Sequence, residues 1–251
     1  MRKMNVWHMT DIGLTRKENQ DAYAVETVEE AGFTVCVVCD GMGGPGGGKL
    51  ASELAVGHFL SACLAGLRQG MTMQQVREVA ELAVEAANTA VYERSCSPKG
   101  ALRGMGTTLV AAIVRDGEAL ISNVGDSRAY LIRAAGPERG ISRVTKDHSL
   151  VERLVDMGDI TAEEARTHPN RNLITRALGP DPDILSDSYQ VRLDSGDYLL
   201  LCTDGLMETA TDQEIEREVL GGGDGCTGRL LKLAKGRGAP DNLTVVLLQR
   251  Q

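Results

Sequence analysis

Three apolar runs that begin or end on an aspartate constrain this chain more than any other feature. The first lies in CVVCDGMGGPGGGKLASELA at 36–55, where a β-type run over 35–39 stops on Asp40, a glycine turn follows, and helical spacing begins. The second, LLLCTDGLME at 199–208, ends on Asp204 and Gly205. In the third, Asp241 directly precedes NLTVVLLQ. Apolar runs bury their side chains, so each acid marks a point where the chain leaves a core. Acids at strand ends far apart in sequence suggest a hard-cation site, and the glycines let backbone approach whatever the acids hold.

The remaining chain alternates between two periods. Short β-type runs are expected at 4–12, 22–28 and 32–40, and again at 107–115, 119–124, 127–133, 141–145, 187–193, 197–202 and 243–249. Asp116–Gly117, Gly125–Asp126 and a GPERG turn join the middle group, and such tight turns mean antiparallel pairing. Helical spacing covers 49–67, with Gly70 as its stop, and 72–95, with Thr72 as a cap and Pro98–Lys99–Gly100 as a stop. Shorter helices are expected at 149–157, after a capping box at Thr161, at 212–219, and at 226–236 beyond a GGGDG break. Two long helices in succession rule out a simple βαβ repeat. The order fits an α/β (α+β) four-layer sandwich: two packed antiparallel sheets flanked by helices on both sides. No repeat or linker divides the chain, so residues 1–251 read as one domain.

Composition narrows the function classes. The 27 basic and 35 acidic residues give a net charge of −8, which disfavours nonspecific binding to nucleic acid or anionic membrane. No apolar stretch has the length of a signal peptide core or a membrane helix, and the chain reads as cytoplasmic. The six cysteines sit mostly in apolar patterns, as reduced core thiols do. Cys36 and Cys39 have CxxC spacing, but in a strand residues three apart face opposite ways, so packing is preferred to zinc.

Five acids border predicted strands or turns: Asp21, Asp40, Asp126, Asp204 and Asp241. Gly41 can add a backbone carbonyl. An all-oxygen set favours Mg2+ or Mn2+. Taken singly, each acid is more often a turn former or a solvated residue; spacing alone does not show that they converge. Arg16, in a polar loop before Asp21, can offer a bidentate fork to a phosphate, although a surface role is the default for a lone arginine. His148 is the one histidine in a strongly polar, turn-like setting, whereas His8, His58 and His168 look peripheral or structural. The glycine-rich segment is no nucleotide-binding phosphate loop, because Lys49 is followed by leucine, and no Gly-x-Ser-x-Gly elbow occurs.

In order, TDIGLTRKENQDA (10–22), VVCDGMGG (37–44), GMGTTLVAA (104–112), NVGDSRAYL (123–131), TKDHS (145–149), NLITRALG (172–179), LLLCTDGLME (199–208) and DNLTVVLL (241–248) resemble the metal-dependent protein serine/threonine phosphatases of the PP2C (PPM) family in its compact bacterial form. The resemblance implies a central β-sandwich flanked by helix pairs, and a dinuclear Mn2+ or Mg2+ centre that activates water to hydrolyse phosphoserine and phosphothreonine. It makes Asp40 the carboxylate bridging two ions, with the Gly41 carbonyl on one of them. Asp204 and Asp241 become ligands, Asp126 with Asp204 the holders of a third, weaker ion, Asp21 the residue ordering water, and Arg16 the phosphate-binding arginine. It implies phosphoprotein substrates, an opposing Ser/Thr kinase, a monomer, and a recognition flap at about 146–182. An inactive binding module and a phosphatase for an anti-sigma-factor antagonist are the alternatives it leaves. Two positions depart from the family's pattern. Gln20 stands where some relatives have Glu, and Met42 stands where animal enzymes carry a histidine proposed as general acid.

Overall fold

The computed structural model describes residues 4–44, 46–96, 102, 104–222 and 225–251. The expected stop at 98–100 and part of the break at 221–225 lie outside them. Among the described residues, eleven strands form two antiparallel sheets. The first holds β1 (Met4–Asp11), β11 (Leu243–Arg250), β10 (Tyr198–Cys202), β7 (Arg128–Arg133) and β8 (Gly140–Arg143), in that order across the sheet. The second runs β2 (Asp21–Val28), β3 (Phe33–Met42), β5 (Leu109–Arg115), β6 (Glu118–Val124) and β9 (Asp187–Arg192), with the two-residue β4 (Gly106–Thr107) paired to the end of β3.

Side-chain alternation along the strands creates three cores. On β3, Cys36 and Val38 face inward, where they meet Val110, Ala112 and Ile121 of their own sheet and Leu199, Leu201 and Val246 of the other. Val35, Val37 and Cys39 face outward, against α1 (Gly47–Gly66) and α2 (Met73–Ser95). The two cysteines of the CxxC pattern therefore lie in different cores. Leu200, Cys202, Val245 and Leu247 point to the opposite outside, under α5 (Asp204–Met207), α6 (Asp212–Leu220) and α7 (Cys226–Gly236). The result is the helix–sheet–sheet–helix sandwich that period-2 strands and amphipathic helices dictate.

Local signals set most boundaries. Asp116 and Gly117 both adopt positive φ, 52° and 87°, as a two-residue hairpin between β5 and β6 requires. Thr72 caps α2 in a reciprocal box with Gln75, and Thr161 does the same with Glu164 at α4 (Ala162–Thr167). Ser149 caps α3 (Leu150–Met157), and Gly158 ends it in the left-handed conformation. Three expectations need correction. Helix α1 ends at Gly66, four residues before Gly70, because Leu67 turns extended to bury its side chain in the outer core. Strand β8 stops at Arg143, since the Thr145 hydroxyl, rather than a backbone carbonyl, receives the Ala129 N–H. The single turn α5 was not foreseen, as Gly205 inside it lowers helical propensity.

The three-core arrangement makes a simple prediction for urea denaturation. Ile121→Ala, between the sheets, lowers stability by about 2–5 kcal/mol, whereas Leu82→Ala, 63% exposed on α2, changes it by about 0.5 kcal/mol or less. Equal effects would contradict the assignment of the inner core.

Candidate active site

The acids of the three runs meet at one end of the sandwich. Asp21 and Asp40 are direct partners across the β2–β3 ladder. The backbone of Asp40 is pinned on the other side as well. Its N–H donates to Thr108 Oγ1 (2.9 Å), and its carbonyl accepts from the Thr108 N–H (2.9 Å) and Thr107 Oγ1 (2.8 Å). Asp204 opens α5 immediately after β10, and Asp241 lies just before β11, the strand next to β10.

Asp21 joins the two sheets. Although it belongs to β2, its Oδ2 accepts from Thr203 Oγ1 (2.9 Å) and Thr244 Oγ1 (2.7 Å), both of the other sheet or its edge. Its Oδ1 is buried without a hydrogen-bond partner, and so is Asp204 Oδ1. Close approach of backbone completes the floor. A Cβ on Gly41 would lie 2.0 Å from the Gly48 carbonyl oxygen and 2.6 Å from that of Gln20, so only glycine allows β3 and the start of α1 to meet there.

Electrostatics tie the acids together. Burial pushes the Asp40 carboxyl well above the usual range, and the neighbouring charges of Asp204, Asp21, Asp126 and Asp241 push it further. Asp126 is raised by burial and by Asp204 and Asp147. Asp204 and Asp21 are each pushed up to about 7, chiefly by burial, with Asp241 adding to both and the threonine bonds of Asp21 opposing the shift. Asp40 thus feels the charges of the other four predicted acids. Among the described residues, no three His, Cys, Asp or Glu side chains are gathered tightly enough to enclose a cation as they stand. The donor set nevertheless suits a hard cation: it is all oxygen, crowded with like charge, and holds two buried oxygens without donors.

Arg16 supplies countercharge at the rim. Its Nη2 contacts Asp241 Oδ2 at 2.5 Å while its side chain stays 54% exposed, within reach of a ligand in solution. Sequence reading missed the residue that holds this loop. Asn242 donates from Nδ2 to the Ile12 carbonyl (3.0 Å) and the Glu18 carbonyl (3.1 Å), and its Oδ1 accepts the Gln20 N–H (2.8 Å). Its only sequence signal was its place directly after Asp241. Gln20 itself reaches Glu18 and the Gly44 carbonyl, bracing the glycine turn. Met42 ends β3 opposite Gly106 and has no proton to give. His148 is not free to act as an acid, since both ring nitrogens already have partners.

The sequence model of the protein phosphatase 2C family matches residues 15–221. The chain is 38% identical over 248 residues to the protein phosphatase PhpP of Streptococcus pneumoniae, covering 98% of this chain and 97% of that protein. The crystal structure of the serine/threonine phosphatase Stp1 from Staphylococcus aureus superposes with a TM-score of 0.91 at 34% identity, covering 99% of this chain and 96% of that one. The catalytic domain of the serine/threonine protein phosphatase PstP, solved with two manganese ions, gives a TM-score of 0.82 at 30% identity, covering 98% and 97%. With the family match, the relatives and the sandwich all in agreement, this chain is a protein phosphatase and belongs to the protein phosphatase 2C family.

Proposed function

We propose that this phosphatase hydrolyses phosphoserine and phosphothreonine in proteins, using two Mn2+ or Mg2+ ions held by Asp40, the Gly41 carbonyl, Asp204 and Asp241. Asp126 and Asp204 hold a third, weaker ion. The observation that carries this reading is the set of mutually repelling carboxyls beside an exposed arginine. Cations bound there would supply Lewis-acid charge and make water a nucleophile near neutral pH.

The chain's own groups do the rest. Arg16 exchanges its contact with Asp241 for the oxygens of the incoming phosphate, a planar fork meeting a tetrahedral anion. The unpartnered Oδ1 of Asp21 offers an acceptor that orders water, while its Oδ2 is locked by two threonines. Asn242 keeps the Arg16 loop beside Asp241. The leaving oxygen receives its proton neither from Met42 nor from His148.

Residues 1–251 act as one catalytic domain in this reading, with 146–182 as a flap that selects substrate. Three contacts support that role. Arg166 donates to the carbonyls of Met207 and Ala210, and Arg171 pairs with Glu208 at 3.4 Å, which lays the segment against α5 and hence beside Asp204. The substrates are proteins phosphorylated by a Ser/Thr kinase. Among the described residues, no helix is long and apolar enough to cross a membrane.

Two experiments test the site. Asp40→Asn, Asp204→Asn and Asp241→Asn each reduce Mn2+-dependent turnover of a phosphothreonine peptide by about 100-fold or more, and Arg16→Ala raises KM by about 10- to 100-fold. Full activity in the three aspartate variants would sink the assignment. The second experiment concerns stability. Asp204 and Asp21 near 7 in the fold compare with about 3.9 in an unfolded chain. Between those values the folded protein binds more protons, so the site costs nothing below about pH 4 and weakens the cation-free protein as pH rises to 7 and above. Asp204→Asn therefore raises Tm at pH 8 in EDTA while losing activity, and a lowered Tm under those conditions would count against the charge crowding.

A further inference from the structure

The turn between β6 and β7 carries Asp126, and one side chain from the start of the flap grips it. The Gly125 N–H donates to His148 Nδ1 (3.0 Å), and the Gly125 carbonyl accepts the His148 N–H (2.9 Å) and Asn123 Nδ2 (3.3 Å). Gly125 has little freedom to shift. Its φ is +102°, and a Cβ there would stand 2.6 Å from Thr108 Cγ2, on the residue whose hydroxyl receives the Asp40 N–H.

The ring's bonds assign its tautomer. A backbone N–H can only donate, so Nδ1 is the acceptor and the neutral imidazole carries its proton on Nε2. Nε2 lies 3.2 Å from Asp187 Oδ2 on β9. Asp187 Oδ1 in turn accepts from Arg176 Nη1 (2.7 Å), which also donates to the Leu185 carbonyl (3.1 Å). Arg176 Nη1 is 3.0 Å from Nε2, but two donors do not bond, so they meet through the carboxylate they share. The His148 carbonyl accepts the Thr175 N–H (2.7 Å), attaching the far end of the flap as well.

We propose that His148 is a positioning residue for the reaction: through Nδ1 it fixes the Gly125–Asp126 turn, and through Nε2 and Asp187 it fixes the Arg176 end of the flap. The Asp126 carboxyl is thereby held near Asp204, whose charge acts on it, and near Asp40, on which its own charge acts. The proposal rests on the reading of Asp126 as a cation ligand. It assigns the two ring nitrogens separate duties, one toward the ion site and one toward the flap.

Two near-isosteres separate those duties. In His148→Asn, Oδ1 stands in for the Nδ1 acceptor and the Nε2 donor is lost; in His148→Gln, Nε2 replaces the donor and the acceptor is lost. His148→Ala loses both, and Asp126→Asn serves as the reference. Mn2+ binding is followed by calorimetry, Mn2+ activation with p-nitrophenyl phosphate, and flap order by amide hydrogen exchange over 146–182. Gln and Ala weaken the weaker Mn2+ site by about 10- to 100-fold, as Asp126→Asn does, whereas Asn keeps it near wild type. Exchange in the flap rises for Asn and Ala but not for Gln. If Asn and Gln behave alike in both measurements, the division of labour is wrong. Should Asp126→Asn bind and respond to Mn2+ as wild type does, the reading of Asp126 fails and the proposal with it. A loss confined to Asp126→Asn overturns the role of His148 alone.

Discussion

Repulsion among carboxyls is the constraint on which this structure turns. Aspartates crowd one end of the sandwich, and burial together with neighbouring charge lifts Asp40, Asp126, Asp204 and Asp21 above their ordinary range. A group of that kind is costly to assemble. The surrounding architecture holds it in place: the Asp40 backbone is bonded through both its N–H and its carbonyl, the Asp21 side chain accepts from two threonine hydroxyls, and Gly41 sits in contact too close for any side chain. The stability that offsets the repulsion comes from the three apolar layers behind the site.

In the proposed reading the crowded carboxyl oxygens suit a hard cation, and the exposed guanidinium of Arg16 next to Asp241 suits a phosphate dianion. The proposed flap is attached through contacts of a different kind, long arginine side chains reaching backbone carbonyls and an acid near α5. Contacts of that sort are individually weak and readily exchanged. A rigid floor and an adjustable rim are thus built from different chemistry.

Much of this was legible in the sequence because period-2 alternation and helix caps are local. The runs at 33–42 and 243–250, the box at Thr72 and the hairpin at Asp116–Gly117 all declare themselves within a few residues. The acids were legible as strand-end features, though their convergence was not, since strand order places β10 between β11 and β7 for reasons no local pattern records. Asn242 and the hydroxyls of Thr203 and Thr244 escaped notice for the same reason: each acts on a residue more than 180 positions away. The helical turn α5 was hidden by a glycine, and the end of α1 by a leucine that tertiary packing pulls out of the helix. The polar setting of His148 was legible, but its two ring contacts, to the Gly125 N–H and to Asp187, were not.

The bond from Thr244 to Asp21 spans 223 residues and crosses from one sheet to the other. Neither sheet alone contains a working set of acids, so a partly folded chain has fragments of the centre and none of its chemistry. Closing contacts so distant in sequence comes late in folding, because loop entropy must be overcome before they form. The centre is therefore a record of completed folding: its acids come together only when β2 and β11, the second and last strands, have been joined across the two sheets.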